Sequence, residues 1–164
     1  SSPLYSSAAS DVYKRQLSTG DESSMQIMAA VMASGMVAPI ALSLATFIRK
    51  SLFTPAEQEN GKSAWLLGLS FVSEGAIPFA AADPFRVIPS MMAGGAVTGA
   101  VSMALSVGSR APHGGVFVLF AIDPFWGYLV AIAAGVVVST AAVLAMKQFW
   151  PNKAVEEAAQ NVAA

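Results

Sequence analysis

The sequence predicts an all-α polytopic membrane protein, with roughly three transmembrane helices and a re-entrant hairpin built from a broken helix. Only 12% of the 164 residues are charged, whereas a soluble globular domain carries about 25% charged residues. Residues 25–48 contain no charged side chain, and residues 63–146 contain five. A bilayer span needs about 20 predominantly apolar residues, and both regions are long enough to supply one.

The first span is predicted over Met25–Ile48, and Arg49 and Lys50 follow it directly. The polar stretch 53–63 contains a proline and a glycine, which predict a loop. Because lysine and arginine are enriched in cytoplasmic loops, we expect this loop to lie in the cytoplasm.

Two further spans are predicted over Ile88–Val107 and Phe125–Met146. Gly95 and Gly99 form a small-xxx-small pair, which favours close packing of the first of these helices against a neighbour. Lys147 follows the second and places the C-terminus on the cytoplasmic side.

Between the first and second spans, the pattern predicts a helix that is interrupted inside the membrane. The apolar run Ala64–Val72 is too short to cross a bilayer and meets the polar triplet Ser73–Gly75. Pro78 and Pro84 follow within ten residues, so no continuous helix survives. Broken backbone at membrane depth is tolerated only where it is buried in protein or lines a water-filled cavity. We therefore expect a half-helix, a break and a returning segment.

Glu74 lies at this break, with Ser73 and Gly75 on either side. A charged side chain at the centre of a membrane helix costs about 2.5–3.5 kcal/mol on insertion scales, so such residues usually face a cavity or a partner. Backbone groups freed at a broken helix bind polar ligands, and a carboxylate accepts hydrogen bonds from two hydroxyls at once, which suits a sugar. In the alternative interpretation, Glu74 pairs with Arg86 or Arg110 and only stabilises the fold.

Four other polar residues are candidates for a structural role or a secondary site. Asp83 precedes a proline and is typical of a turn or a helix cap. Arg86 and Arg110 are expected to be interfacial or paired charges. His113 lies in the glycine-rich loop 109–115 and is a candidate for substrate binding as well as for a structural role.

Composition excludes several classes of chemistry. The chain has no cysteine and a single histidine, so disulfides, thiolate chemistry and histidine-rich or cysteine metal sites are excluded. The net charge of −1 and the lack of a basic cluster argue against a nucleic-acid partner. No nucleophile elbow or phosphate-binding loop is present in the sequence. We expect no catalytic residue, no metal and no cofactor in this chain.

The two ends differ from the middle of the chain. Residues 11–16, DVYKRQ, resemble the translation of a transposon end used in sequencing-library preparation. We therefore expect residues 1–16 to be non-native and exclude them from the fold prediction. Residues 17–150 are expected to form the C-terminal part of a larger membrane domain. Residues 151–164 are expected to form a flexible cytoplasmic tail.

Three stretches carry a family likeness. GLSFVSEGAIPFAAADPFRVIPS at 68–90 and RAPHGG at 110–115, together with LFTPAEQENGKSAW at 52–65, closely resemble the membrane (C) component of fructose-family permeases of the phosphoenolpyruvate-dependent sugar phosphotransferase system. This resemblance implies a multi-pass protein of the bacterial inner membrane. It implies that the chain is the C-terminal half of a permease that takes up a sugar, such as fructose.

The resemblance also implies partners and site residues. A cytoplasmic B component, phosphorylated on cysteine, would transfer its phosphoryl group to the sugar, and the membrane component would form a homodimer. The parent complex would thus be a protein-phosphocysteine–sugar phosphotransferase, although this chain lacks the phosphorylated domain. The SEG motif implies that Glu74 holds sugar hydroxyls, and RAPHGG makes His113 a second candidate.

Two alternatives remain open from the sequence. In the first, the chain is a non-catalytic structural or channel-like membrane subunit whose buried charges pair only with one another. In the second, the chain belongs to the same family but takes another substrate, such as mannose or a sugar acid. Arg86 and Arg110 supply positive charge that an acidic substrate would require.

Overall fold

In the computed structural model, residues 22–111 and 114–150 are described, and their fold is almost entirely helical. The helices are α1 (Glu22–Ile48), α2 (Pro55–Leu69), α3 (Ile77–Ala82), α4 (Pro84–Ala104) and α5 (Phe125–Phe149). Short 3₁₀ segments cover Lys50–Leu52, Ser73–Ala76 and Gly115–Ala121, and the strands are β1 (Gly108–Ser109) and β2 (Ile122–Asp123). The ends predicted to be non-native or flexible, 1–16 and 151–164, lie outside the described residues, as does His113.

Three of these helices, α1, α4 and α5, are long and apolar enough to cross a membrane. The predicted all-α polytopic class and the three predicted spans are therefore confirmed. The antiparallel pair β1–β2, in which Gly108 faces Asp123, connects the end of α4 to the start of α5. Helix α4 begins at Pro84 rather than at the predicted Ile88, because a proline in the first turn of a helix sacrifices no intrahelical hydrogen bond.

The prediction of a loop over residues 53–63 is wrong, because α2 begins at Pro55. Thr54 and Glu57 form a capping box: the Glu57 N–H donates to Thr54 Oγ1 (3.3 Å), and the Thr54 N–H donates to Glu57 Oε2 (2.8 Å). Pro55 occupies the first helical position, which its fixed φ favours. Gly61 is accommodated because it packs against the side chain of Thr46 on α1.

Helices α4 and α5 approach each other closely where each carries a glycine. A Cβ atom added to Gly94 would overlap Ser139 Oγ, and one added to Gly135 would overlap Thr98 Oγ1. The Gly95–Gly99 pair faces α1, where Ser34 Oγ donates to the Gly95 carbonyl at 3.0 Å. An added Cβ at Gly95 or Gly99 would meet only Ser34 of α1, at the ordinary contact distances of 3.9 and 3.7 Å.

Helix α1 runs between the other elements, and two apolar clusters are built on it. The larger contains Met32, Met36 and Val37, with Tyr128 of α5 donating its hydroxyl to Met36 Sδ at 3.2 Å. The smaller lies near the C-terminal ends of α1 and α5 and contains Leu42, Phe53, Phe79 and Val143. These clusters fix the positions of α2 and α3, which are too short to span a membrane on their own.

Candidate functional site

The predicted interruption of the helix after Ala64–Val72 is present, and it begins with an unusual backbone conformation. Helix α2 ends at Leu69, and Phe71 has a φ of 61°. A positive φ is a genuine outlier for a bulky residue. The Val72 N–H donates to the Leu67 carbonyl (2.8 Å), which closes the helix end. The chain then forms the 3₁₀ turn Ser73–Ala76 before α3.

This interruption lies beside the middle of α1. Gly68 packs so closely on Pro39 and Ile40 that an added Cβ would lie 2.6 Å from Ile40 Cγ1, and the Phe71 ring covers Gly35. At 1.5 Å per residue, Gly35 and Pro39 lie roughly 14–20 Å from the end of α1 at Ile48. Because the hydrocarbon core is about 30 Å thick, the break falls near the middle of the α1 span.

The residues of the SEG motif differ in exposure. Gly75 is buried, and an added Cβ would lie 3.1 Å from Leu67 and 3.3 Å from Pro39, whereas Ser73 and Glu74 are exposed. Among the described residues, none forms a hydrogen bond or ion pair with the Glu74 carboxylate. The interpretation in which Glu74 pairs with Arg86 or Arg110 is therefore not what the structure shows. Within residues 22–111 and 114–150, nothing occupies the carboxylate, which leaves it available to accept hydrogen bonds from a ligand.

The end of the RAPHGG motif packs directly on the break. Gly115 is buried with a φ of 60°, and an added Cβ would overlap the Leu69 carbonyl oxygen and lie 2.9 Å from the Phe71 nitrogen. Only glycine satisfies both the left-handed backbone and this close approach. The two family-like motifs therefore meet in space. His113 itself lies outside the described residues, two positions before Gly115.

Arg110, at the start of the same motif, lies elsewhere. It lines a cavity of about 620 Å³ with Glu22, Gln26 and Asp123, where the N-terminal end of α1 meets the strand pair. Its backbone N–H donates to the Ala121 carbonyl (3.1 Å). The structure thus does not bring Arg110 together with Asp83 and Arg86.

Asp83 and Arg86 belong to a buried cluster of charges at the other end of the bundle. Asp83 occupies the N-cap position of α4, but its side chain makes no capping hydrogen bond. Instead Asp83 Oδ2 accepts from Arg86 Nη1 at 2.7 Å and lies 3.8 Å from Lys147 Nζ. Lys147 Nζ also donates to Glu57 Oε1 at 2.8 Å. The prediction that Asp83 caps a helix with its side chain is therefore wrong. Its carboxylate instead lies between Arg86 and Lys147.

Glu57 and Lys147 form a contact that the sequence does not predict. They are 90 residues apart, and each side chain is only 2% exposed. Lys147 Nζ also lies 4.2 Å from the centroid of the Phe53 ring. The sequence signal that was available is the T-x-x-E spacing of Thr54 and Glu57, which predicts a helix start and a structural use for this glutamate.

No group of histidine, cysteine, aspartate and glutamate side chains within the described ranges is arranged to hold a metal ion. The helix break offers an exposed carboxylate that has no partner in the described part of the chain, an exposed hydroxyl and backbone groups released from the helix. A carboxylate and backbone carbonyls accept hydrogen bonds, and a serine hydroxyl both donates and accepts them.

Comparison with known proteins identifies the family. The chain is 56% identical over 124 residues to the fructose-specific EIIB'BC component of Escherichia coli (strain K12), covering 74% of this chain and 22% of that protein. It is 49% identical over 134 residues to the fructose-specific EIIC component of Haloferax volcanii, covering 82% of the chain and 35% of that protein. It is 46% identical over 116 residues to the fructose permease IIC component of Bacillus amyloliquefaciens, covering 71% of this chain and 38% of that protein.

Two of these relatives consist, by name, of the C component alone. This chain belongs to the same family as these C components of the phosphotransferase system. It spans between 22% and 38% of the length of these three relatives. No protein-family model matches it, and no solved structure matches it.

Membership in the EIIC family agrees with the three helices capable of crossing a membrane. The chain is a transmembrane, multi-pass protein of the inner (plasma) membrane, and the Bacillus amyloliquefaciens relative is named a fructose permease component. The resemblance inferred from the SEG and RAPHGG motifs is thereby confirmed.

Proposed function

We propose that this chain contributes part of the fructose-binding and translocation site of a phosphotransferase-system permease. The observation that carries the proposal is the exposed carboxylate of Glu74, which has no partner among the described residues and lies beside the middle of a membrane span. At that depth an uncompensated charge costs about 2.5–3.5 kcal/mol. A water-filled cavity that admits a sugar removes this cost, because hydroxyl groups donate to the carboxylate.

The path of the chain around Glu74 supports a re-entrant hairpin. Both ends of the segment, Glu57 at the start of α2 and Asp83 after α3, contact the same lysine, Lys147. The turn between α2 and α3 lies instead beside the middle of α1. A segment that begins and ends at one end of the bundle and turns at mid-depth enters the membrane and leaves on the same side.

The proposed mechanism assigns positioning to this chain and phosphoryl chemistry to a partner. Glu74 and Ser73 hold the sugar hydroxyls, and Gly75 and Gly115 allow backbone to approach closely around them. His113, which directly precedes the paired glycines, is the next candidate for contact with the sugar. A phosphorylated B component then transfers its phosphoryl group to a sugar hydroxyl, a step that depends on alignment and electrostatic stabilisation.

The exposed apolar side chains indicate which surfaces are covered in the assembled permease. Phe85, Met92 and Phe120 are 85%, 69% and 89% exposed, which is unfavourable in water. We propose that lipid, the rest of the permease and a second copy in a homodimer cover these faces.

The test uses a complete fructose permease whose matching region is replaced by residues 17–164, here called the chimera. Glu74→Gln preserves the size of the side chain but removes its charge and is expected to abolish phosphoenolpyruvate-dependent fructose phosphorylation while leaving membrane insertion intact. Glu59→Gln is the matched control, since Glu59 is an exposed glutamate of α2. Full activity of a well-inserted Glu74→Gln chimera would show that the Glu74 charge does not hold the sugar and would overturn this assignment.

A further inference from the structure

The proposed function leaves one group of buried side chains without a role. Glu57, Asp83, Arg86 and Lys147 form a chain of ion pairs with two positive and two negative charges. Their side chains are between 2% and 11% exposed. Such residues are expensive to bury even when paired, and replacing them with apolar residues of similar volume is often neutral or stabilising. Their contribution to stability is therefore a weak reason for their presence.

The cluster joins three separate elements. Glu57 lies in the first turn of α2, Asp83 lies between α3 and α4, and Lys147 lies in the last turn of α5. The two carboxylate oxygens of Glu57 have different partners: Oε2 accepts from the Thr54 backbone N–H, and Oε1 accepts from Lys147 Nζ. A single ammonium group on α5 therefore meets a carboxylate from each end of the segment that carries Glu74.

Charged contacts of this kind restrict the relative positions of two elements more tightly than apolar packing does. The neighbouring apolar residues Phe53 and Phe79 meet edge to face, with ring centroids 6.3 Å apart, and such packing survives small sliding movements. The 2.8 Å contact between Lys147 Nζ and Glu57 Oε1 does not, because a displaced ion pair leaves buried charge without a partner.

We propose that Lys147, together with Glu57 and Asp83, is a positioning residue for the sugar site. The cluster fixes both ends of the 57–83 segment on α5 and so sets where the Glu74 carboxylate lies. This inference rests on the proposed function of Glu74, although these three residues do not contact the sugar.

The test variant is the double substitution Glu57→Gln/Lys147→Met in the chimera. Removing both charges leaves Asp83 paired with Arg86 and creates no unpaired buried charge. Glutamine also retains an oxygen that accepts from the Thr54 N–H. The matched control is Glu59→Gln/Lys62→Met, which removes the exposed ion pair of α2, whose side chains are 72% and 65% exposed.

A displacement of about 1 Å remote from the chemistry can lower a rate on the order of 10²-fold. We therefore expect the double variant to raise the KM for fructose and lower kcat/KM on the order of 10²-fold, with insertion retained. The control should show wild-type kinetics. A role confined to stability predicts wild-type kinetics in both variants, and that result would overturn the proposal.

A distance measurement tests the positioning without any sugar chemistry. This chain has no cysteine, so once the cysteines of the host permease are replaced by serine, spin labels attached at Ile77→Cys on α3 and Ala141→Cys on α5 report the distance between the segment and α5. Both residues are exposed. We expect a narrow distance distribution in the parent and in the control, and a broad or shifted one in Glu57→Gln/Lys147→Met.

An unchanged narrow distribution in the double variant would overturn the proposal even if activity fell. If the parent chimera does not phosphorylate fructose, the proposed function fails, and the distance distribution alone then decides the positioning role.

If the double variant does not insert, Lys147→Arg replaces it, because arginine keeps the charge but is bulkier. That variant should insert normally and show a smaller rise in KM and a shifted distance, and wild-type values for both would overturn the proposal.

Discussion

Substituting alanine for glycine at two adjacent positions of α4 should have opposite effects. At Gly94 an added Cβ overlaps Ser139 Oγ and lies 2.7 Å from the Gly135 carbonyl oxygen. The serine hydroxyl can rotate away, but the backbone oxygen cannot, so α4 and α5 must move apart. At Gly95 the added Cβ meets only Ser34 Cβ, at 3.9 Å.

The expected magnitudes follow from these contacts. Overpacking a well-packed interface costs about 1–3 kcal/mol, and the fixed backbone oxygen places Gly94→Ala near the upper end, at about 3 kcal/mol. Alanine is favoured over glycine in a helix by up to about 1 kcal/mol, which reduces the net destabilisation to about 2 kcal/mol. For Gly95→Ala only the favourable contribution remains, so the two variants should differ by about 3 kcal/mol.

The assay is thermal stability of the detergent-solubilised chimera, followed as the fraction that remains monodisperse after heating. Gly94→Ala is expected to lower the midpoint by several degrees, and Gly95→Ala is expected to leave it unchanged or raise it slightly. A Gly94→Ala chimera as stable as its parent would refute the close contact between α4 and α5. Equal losses in both variants would instead indicate a general intolerance of α4 to larger side chains.

Two further substitutions probe the elements around Glu74. Thr54→Ala removes the capping box of α2 and should destabilise the chimera by about 1 kcal/mol, measured by the same heating assay, whereas Thr54→Ser should restore the parent's stability. Gly115→Ala places a Cβ against the Leu69 carbonyl at a φ of 60°. It should reduce fructose phosphorylation severalfold with insertion retained, and unchanged kinetics would show that this loop does not support the break.

The spans and the helix break could be predicted because each depends on local sequence. Long charge-free runs predict α1, α4 and α5, and the sequence SEG followed by Pro78 predicts an interruption. Helix α2 is not predicted, because Pro55 and Gly61 are both typical of a loop. Pro55 occupies the first helical turn, and Gly61 is required by the contact with Thr46. The capping-box spacing of Thr54 and Glu57 outweighs both signals and was legible in the sequence.

The buried charges could not be predicted in the same way. Lys147 follows an apolar span and is typical of a residue that sets topology, and nothing local indicates that it meets Glu57, 90 residues earlier. Asp83 precedes a proline and satisfies the pattern of a capping residue. Its carboxylate is instead used by Arg86 and Lys147. Contacts between charges that are distant in the chain produce no local or periodic pattern in a single sequence.

The most direct test of the account is whether sugar protects Glu74 from chemical modification. The chimera would be treated with a carbodiimide and an amine, with or without fructose, and the modification of Glu74 and Glu59 would be quantified by mass spectrometry. Both residues are exposed, so Glu59 serves as an internal reference. The account predicts that fructose slows modification of Glu74 and leaves Glu59 unaffected. Equal modification of Glu74 with and without fructose, at saturating sugar, would contradict a role for Glu74 in holding the sugar.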